Sequence, residues 1–185
     1  MNKLESLKVI ADAAAACTSC ELHKTRIKSV FSRGNPDSKI VFVGEAPGAD
    51  ENEQGLPFVG RAGKLLDAMI GAMGFNRDDI YVCNICKCRP PDNRKPLPDE
   101  MSACKPFLTQ QLDIVQPKVI VALGATAVEG LLGPGLGITK RRGNWGIYNG
   151  IKVMPTFHPS YLLRNPSAKD IVKLDLQAVL SYLKE

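Results

Sequence analysis

The feature that most constrains the fold is a set of four short apolar runs rich in β-branched residues, with helical patterns between most of them. Runs of this kind are typical of strands that are buried on both faces of a parallel sheet. Strands separated by helices predict an α/β fold, in which a mostly parallel four-stranded sheet lies between two layers of helices. The predicted strands cover residues 39–43, 80–83, 119–123 and 152–156.

Two helices are predicted from the spacing of apolar residues. Between Gly60 and Gly74, apolar side chains recur at the three- and four-residue spacing of one helix face, and Gly74 provides the end. A similar stripe lies at residues 172–183, behind the helix start signal Asn-Pro-Ser at 165–167. The length fits one domain, residues 1–185, whose ligands we expect at loops beyond the carboxyl ends of the strands.

The charge of the chain gives only a weak indication of its partners. The sequence contains 24 Lys and Arg against 19 Asp and Glu, a formal net charge of +5. This excess suits a polyanion, although it is also common among ordinary soluble proteins. No apolar run approaches the roughly 20 residues that span a bilayer, and residues 1–17 carry dispersed charges rather than a signal-peptide core. We therefore expect a cytoplasmic protein that does not associate with membranes.

The six cysteines favour metal or cluster ligation over disulfides, because the cytosol keeps thiols reduced. Cys17 and Cys20 have the two-residue spacing that lets both sulfurs face one metal centre. Cys83 lies in an apolar run, where a free cysteine commonly packs as a small hydrophobe. The spacing leaves open whether Cys86 or Cys88 completes the site, and thiolates suit zinc as well as an iron–sulfur cluster.

Residues that could take part in a reaction follow the first and the fourth predicted strands. The glycine-rich residues 44–55 follow the first strand and contain neither a dinucleotide-binding signature nor a P-loop, which disfavours nucleotide cofactors. His158, one of only two histidines, follows the fourth strand. The loop after the first strand carries four carboxylates, Glu45, Asp50, Glu51 and Glu53.

Four motifs occur together, in one order, across most of the chain. They are GEAPG at residues 44–48, PFVGRAG at 57–63, KCRPP at 87–91 and HPSYLLR at 158–164. In these motifs the chain strongly resembles the family 4 uracil-DNA glycosylases. The resemblance implies a monomeric, monofunctional enzyme that hydrolyses the N-glycosidic bond of uracil in DNA. It would leave an abasic site and so initiate base excision repair, with uracil-containing DNA as its partner.

The resemblance also implies a cofactor. The family pattern combines a CxxC pair near the N-terminus with a cysteine in the KCRPP motif and another some sixteen residues later. These cysteines hold a [4Fe-4S] cluster, which would tie the N-terminal helix and the CxxC segment to the rest of the domain. Because hydrolysis requires no electron transfer, we expect a structural role for the cluster. In this chain the ligands would be Cys17, Cys20, Cys88 and Cys104.

The same resemblance assigns roles in the reaction. A base must leave the stack before it can be cleaved from the sugar. Phe58 would then stack on uracil, with Ala46 also at the base, and Asn84 would face its N3–H and O4. His158 would donate a hydrogen bond to O2 as negative charge builds there. The attacking water would be oriented by Glu45, with Glu51 as a second candidate.

Further residues are expected to contact the DNA around the flipped nucleotide. Leucines close behind the catalytic histidine could enter the space that the nucleotide leaves. A basic run at residues 140–142 beside the only tryptophan could bind phosphates, or it could be a solvated loop. The expected contacts are Arg61, Arg142, Leu162, Leu163 and Arg164.

The sequence differs at two places from the patterns of related glycosylases. The family's acidic loop usually carries a Glu-Asp pair where this chain has Glu51 and Asn52, which removes any role for the second acid. A related branch captures DNA covalently through a histidine in a basic insertion. Residues 89–97 contain no histidine, so we expect no covalent capture.

Three other functions fit parts of the pattern. One is a glycosylase of the same superfamily that acts on another base, such as hypoxanthine, since details of the pocket decide specificity. Another is a non-catalytic iron–sulfur module that binds DNA. The third is a zinc-ribbon-like interaction protein, in which His23 could add a ligand. The joint presence of carboxylate, aromatic, amide and imidazole groups at the expected positions favours the enzyme.

Overall fold

The computed structural model describes residues 1–185 and confirms the α/β architecture. The strands are β1 (Ile40–Gly44), β2 (Tyr81–Asn84), β3 (Val119–Leu123), β4 (Gly146–Tyr148) and β5 (Ile151–Thr156). The helices are α1 (Lys3–Ala15), α2 (Ala49–Gln54), α3 (Arg61–Ala72), α4 (Pro98–Val115), α5 (Ala125–Leu132), α6 (Ile138–Arg141), α7 (Pro159–Arg164) and α8 (Lys169–Leu183).

The sheet has the strand order β2-β1-β3-β5-β4. β1 lies between β2 and β3 and is parallel to both, and β3 is parallel to β5. The chain therefore leaves β1 to one side of the sheet for β2 and returns to the other side for β3. Such a change of direction opens a crevice at the carboxyl ends of the strands, where open α/β sheets bind their ligands.

The predicted number of four strands is wrong, because the sheet has a fifth. The additional strand, β4, is three residues long and runs antiparallel to β5 at the edge of the sheet. A tight turn at Asn149 and Gly150 joins the two strands, and both residues have positive φ, 46° and 82°. Asn-Gly is a typical two-residue hairpin turn, so this dipeptide was the signal for the missing strand.

Helices cover both faces of the sheet, which confirms the three layers. One core of 20 buried residues lies on the α1, α4 and α5 side, and another of 17 on the α3, α7 and α8 side. The two predicted amphipathic helices are α3 and α8. In α3, Leu66 and Ile70 are fully buried. Burial of each side chain contributes roughly 1.5–3 kcal/mol to the stability of the fold. None of the helices combines the length and apolar character needed to cross a membrane.

Residues 30–33 cover the outer edge of β2 and connect the N-terminal region to the sheet. The backbone groups of Arg33 and Val82 exchange two hydrogen bonds in an isolated antiparallel bridge. One step further along, the Val30 amide donates to the Lys87 carbonyl at 2.7 Å. This coverage satisfies backbone groups that an edge strand would otherwise expose.

Candidate functional site

A cleft of about 390 Å³ lies at the carboxyl ends of β1, β2 and β5. Among its lining residues are the four predicted base-binding side chains, Ala46, Phe58, Asn84 and His158. A second space of about 450 Å³ adjoins it and is lined by Glu45 and Arg164. Since both spaces share His158 and Ala46, residues from three of the four motifs meet around one site.

The register of β1 and β2 brings two of these groups together. Gly44 and Asn84 are paired partners at the last position of the two strands. A Cβ atom at Gly44 would lie 2.5 Å from Asn84 Oδ1 and 2.5 Å from Phe58 Cζ. Only glycine leaves room for both groups here, because such distances lie far inside van der Waals contact.

The Asn84 side chain is prepared for a ligand. Asn84 is almost completely buried, and its Oδ1 atom has no hydrogen-bond partner. Leaving a buried acceptor unsatisfied costs about 1–3 kcal/mol, so such an atom in a cleft calls for a donor from a bound molecule. An amide presents one acceptor and one donor, which complement a group with an N–H beside a carbonyl.

Phe58 is held in a strained backbone conformation at the floor of the cleft. Its φ angle is +55°, a left-handed value that bulky residues rarely adopt. Gly63 of α3 packs directly on this residue, since a Cβ there would lie 1.8 Å from the Phe58 carbonyl oxygen. The Phe58 ring stacks against His158 at 5.7 Å between ring centroids. The strain therefore places an aromatic face beside both the amide and the imidazole.

His158 is fixed as a neutral imidazole with a defined tautomer. The Ser160 backbone N–H donates to Nδ1 at 3.0 Å, and the Ser160 hydroxyl lies 2.7 Å from the same nitrogen. Because Nδ1 accepts a hydrogen bond, the ring proton resides on Nε2. Burial, together with the Arg164 guanidinium, lowers the pKa of His158 to about 4. At neutral pH the ring is thus an uncharged Nε2–H donor.

The two candidate carboxylates differ in their surroundings. Glu51 accepts hydrogen bonds from the backbone N–H groups of Gly48, Val59 and Gly60, each at 3.0 Å. These bonds connect the start of α2 to the segment that carries Phe58. Glu45 follows β1 directly, is half-buried and lines the cleft. The geometry favours Glu45 for contact with a reacting molecule and gives Glu51 a structural task.

Asn52 stands where the family pattern usually has the second acidic residue. It is buried and lines neither part of the cleft. Its Oδ1 atom accepts a hydrogen bond from the Ile27 backbone N–H at 2.9 Å. Asn52 therefore holds residues of the N-terminal region against α2. A neutral amide can make this contact without burying a charge.

The predicted DNA-contact residues divide into two groups. Arg61, Leu163 and Arg164 are exposed, and Arg61 lines the cleft while Arg164 lines the adjoining space. Leu162 is 1% exposed and belongs to the core under α7, so its predicted DNA contact disagrees with the structure. The two leucines are neighbours on a short helix and point about 100° apart, so that Leu162 faces the core and Leu163 faces solvent.

Arg142 is engaged in a buried ion pair. Its guanidinium binds both carboxylate oxygens of Asp175 on α8, and the Thr156 hydroxyl donates to the same carboxylate at 2.7 Å. Asp175 is 2% exposed and requires this partner, because an unpaired buried charge is costly. The predicted phosphate contact of Arg142 therefore competes with a structural role.

A second cavity lies between α1, α4 and the start of the KCRPP motif. It is lined by all four cysteines that the resemblance selects, Cys17, Cys20, Cys88 and Cys104. Three of these sulfurs already have donors: the Lys87 backbone N–H lies 3.2 Å from Cys104 Sγ, the Ser19 backbone N–H lies 3.5 Å from Cys17 Sγ, and Arg26 Nη1 lies 3.6 Å from Cys88 Sγ. Donors aimed at sulfur suit thiolates that bind a metal or a cluster.

The remaining two cysteines do not line this cavity. Cys83 and Cys86 are fully buried, and burial raises the pKa of the Cys83 thiol. The neighbouring Cys104 raises the pKa of Cys86, and the neighbouring Cys86 lowers the pKa of Cys104 to about 6. Both Cys83 and Cys86 belong to the hydrophobic core, and Cys86 lies close to Cys104.

Sequence reasoning missed Asn93 and Ser160. Asn93 lies on both parts of the cleft and accepts a hydrogen bond from Arg89 at 2.7 Å. It has a φ of +56°, and no local sequence signal separates it from an ordinary turn asparagine. Ser160 lies two residues beyond His158, a spacing at which its N–H can reach the ring of a residue that caps a helix, as it does here.

Comparison with known proteins identifies the family. Residues 31–184 match the uracil DNA glycosylase superfamily. The chain belongs to this superfamily, as the agreement of its motifs and site geometry indicates.

Within the superfamily, the chain is similar to several type-4 uracil-DNA glycosylases. It is 48% identical to that of Thermotoga maritima, over 98% of this chain and 96% of the relative. It is 40% identical to that of Sulfurisphaera tokodaii, over 95% of this chain and 84% of the relative. The enzyme of Archaeoglobus fulgidus is 39% identical, with 95% of this chain and 92% of the relative covered. The resemblance to family 4 is thereby confirmed.

Proposed function

We propose that this protein is a DNA glycosylase that hydrolyses the bond between uracil and deoxyribose and leaves an abasic site for base excision repair. The observation that carries the proposal is the buried, unpartnered Asn84 Oδ1 in a cleft beside Phe58 and neutral His158. An acceptor in this position suits the N3–H of uracil, and the amide N–H₂ suits the neighbouring O4. Superfamily membership and the type-4 relatives support the same reaction.

Uracil enters this cleft only as a flipped base, because the bond to be broken is inaccessible in a stacked duplex. The Phe58 face stacks on the ring, with Ala46 beside it at the cleft wall. Arg61 and Arg164 hold the DNA backbone at the rim, and Leu163 occupies the space that the nucleotide leaves. The chain carries all of these groups itself, so we propose that it acts as a monomer.

Bond cleavage moves the electron pair of the C1′–N1 bond onto uracil, where negative charge collects at N1 and O2. His158 stabilises this charge through a hydrogen bond from Nε2 to O2, and Ser160 holds the ring in the required tautomer. A neutral donor suits this task because its charge state does not change as uracil departs.

The sugar becomes positively charged as the bond breaks, and a water molecule adds to C1′. Glu45 stabilises the cationic sugar, orients the water and accepts its proton. The products are a uracil anion, which takes up a proton from solvent as Glu45 returns its own proton to solvent, and an abasic deoxyribose that carries the water oxygen at C1′. Glu51 supports the reaction through the loop geometry that its three backbone hydrogen bonds maintain.

We propose that the cysteine cavity holds a [4Fe-4S] cluster. Cys17, Cys20, Cys88 and Cys104 supply four soft thiolates, and backbone and guanidinium donors already face three of the sulfurs. When bound, the cluster links α1 and the CxxC segment to α4. This role is structural, since the hydrolysis moves no electrons between redox centres.

The test is incubation of the purified protein with uracil-containing single- and double-stranded DNA, followed by alkaline cleavage. We expect strand breaks at the uracil position with wild-type protein and almost none with the His158→Ala variant. Wild-type protein that leaves the DNA intact would refute the proposal. Equal cleavage by wild type and variant would refute the role of His158.

A further inference from the structure

Lys87 is a buried lysine between the cleft and the cysteine cavity. It is 1% exposed and lines the cavity that the four cysteines share. Its Nζ atom donates to the Asn84 backbone carbonyl at 2.7 Å and lies 5.6 Å from the centroid of the Phe31 ring. Lys87 therefore contacts the residue that reads the base through its side chain and also lines the cluster site.

The Asn84 carbonyl depends on this contact. The next residue, Ile85, donates its N–H to Gly44 of β1. Backbone groups of successive residues in a strand point to opposite sides, so the Asn84 carbonyl points away from β1 toward the outer edge of the sheet. No strand pairs with Asn84 on that edge, and the Lys87 ammonium group is its partner there. This bond fixes the end of β2 where the Asn84 side chain projects.

The positive charge of Lys87 has no carboxylate partner. None of the nine ion pairs of the chain includes it. A buried cation without a counter-charge is unfavourable by several kcal/mol. The groups that can supply negative charge nearby are the cysteine sulfurs of the cavity, and the Lys87 backbone N–H already donates to Cys104 Sγ. A [4Fe-4S] cluster on four thiolates carries a net negative charge and would provide the missing counter-charge.

We propose that Lys87 is a positioning residue, held between the [4Fe-4S] cluster and the Asn84 carbonyl, so that the cluster stabilises the geometry of the uracil-reading amide. This inference rests on the proposed function and extends it. The cluster then serves the base-binding pocket as well as the attachment of the N-terminal region. It does so through a fixed charge, without any change of oxidation state.

The experiment compares Lys87→Met, which keeps the length and apolar stem of the side chain, with Lys105→Met as a matched control. Lys105 also lies over an aromatic ring, 5.9 Å from the Tyr148 centroid, but it is exposed and contacts neither Asn84 nor the cavity. Iron content, the reduction potential of the cluster, binding to abasic-site DNA and single-turnover uracil release are measured on each holoprotein.

For Lys87→Met we expect uracil release to fall at least about tenfold, the scale of a small misplacement of a substrate-positioning group. The reduction potential should shift, because a positive charge beside the cluster is lost, while abasic-site DNA should bind within about twofold of wild type. Lys105→Met should match wild type in all four measurements. In the double variant Asn84→Ala/Lys87→Met, release should be within about twofold of Asn84→Ala alone, since both changes act on one group.

Wild-type release by Lys87→Met, an unchanged potential, or fully multiplicative losses in the double variant would each overturn the inference. If Lys87→Met loses iron or fails to fold, Lys87→Arg decides. Recovery of iron and of most of the release rate by this charged variant supports the role of the charge, and failure like that of the methionine variant refutes it. A wild-type protein that releases no uracil would instead refute the proposed function, and the potential would still test the contact with the cluster.

Discussion

The uracil cleft and the cysteine cavity are assembled in opposite ways. Three of the cleft residues, Glu45, Asn84 and His158, lie at the carboxyl ends of β1, β2 and β5, so the sheet brings them together, and Phe58 joins them from the segment before α3. The cavity collects residues from the N-terminal segment, the KCRPP motif and α4, which no shared strand aligns. The cleft is therefore a product of the core, whereas the cavity joins three separate parts of the chain.

The polar groups of the two regions also differ in whether they have hydrogen-bond partners within the chain. In the cleft, Asn84 Oδ1 is left without a partner and Nε2 of His158 carries the donor proton, so both await a ligand. In the cavity, the sulfurs of Cys88 and Cys104 already receive hydrogen bonds from the chain. The difference indicates a site for a transient ligand in one place and for a permanent one in the other. Substitutions should consequently affect rate in the cleft and stability in the cavity.

The largest loss of rate is expected for His158→Ala. Removing one preorganised donor to a developing oxyanion slows related reactions by roughly 10²- to 10³-fold. We expect a loss of this size in single-turnover uracil release, with circular dichroism and melting temperature close to wild type. A rate within tenfold of wild type would remove His158 from the mechanism.

The two carboxylates provide the next comparison. Glu45→Gln should slow uracil release by about 100-fold, because the amide cannot accept the proton of water. Glu51→Gln should act chiefly on stability, by about 1–3 kcal/mol, because a charged acceptor of three backbone N–H groups is lost. Single-turnover rates and thermal unfolding of both variants separate these effects. Reversed behaviour of the pair would assign the water to Glu51.

In the cavity, Cys88→Ala should lower iron content and melting temperature together, since metal binding is coupled to folding. Cys86→Ala is the variant for comparison, because Cys86 lies beside Cys104 but outside the cavity lining, and we expect it to retain its iron. Iron analysis and calorimetry of the two variants decide the ligand. Full iron occupancy in Cys88→Ala and loss of iron in Cys86→Ala would exchange their roles.

A smaller effect is expected at α7. Leu163→Ala should slow uracil release from duplex DNA by about 3- to 10-fold and affect single-stranded DNA less, because only the duplex needs its vacated space filled. Leu162→Ala should instead lower stability by about 2–5 kcal/mol, as for other buried leucines. Rates on both substrates, with urea unfolding, distinguish the pair. Equal slowing of both substrates by Leu163→Ala would contradict a wedge role.

The smallest effect is expected from pH. With the pKa of His158 lowered to about 4, the ring stays neutral as pH falls from 8 to 5.5, and protonation begins only as pH approaches 4. Protonation would also remove the acceptor of the Ser160 N–H. The contribution of His158 to the rate should therefore stay constant within about twofold over that range. An inflection near pH 6.5 that disappears in His158→Ala would contradict the neutral ring.

The sequence predicted the sheet and the cleft more completely than the contacts that hold them. Strand runs and motif order located Phe58, Asn84 and His158, because alternation and strand ends are local features. The burial of Leu162 and the pairing of Arg142 with Asp175 were not predictable, since they depend on how α7 and α8 dock on the sheet. β4 was missed although its Asn-Gly turn was visible in the sequence.

The sequence alone also could not decide which cysteines line the cavity. Spacing alone identified the Cys17–Cys20 pair and left Cys86 and Cys88 equivalent. The direction in which each side chain points is fixed by the turn after β2, and there Cys86 faces the core while Cys88 faces the cavity. In the cleft, in contrast, Glu45, Asn84 and His158 are brought together because their strands end at one edge of the sheet.

The central claim is that this cleft recognises and releases uracil. The most direct measurement is single-turnover release of the free base, by mass spectrometry, from four oligonucleotides that differ only in carrying uracil, cytosine, thymine or hypoxanthine at one position. We expect uracil to be released at least about 100-fold faster than any other base, and the Asn84→Ala variant to lose most of that release. Release of hypoxanthine at a comparable rate, or no release of uracil, would contradict the account.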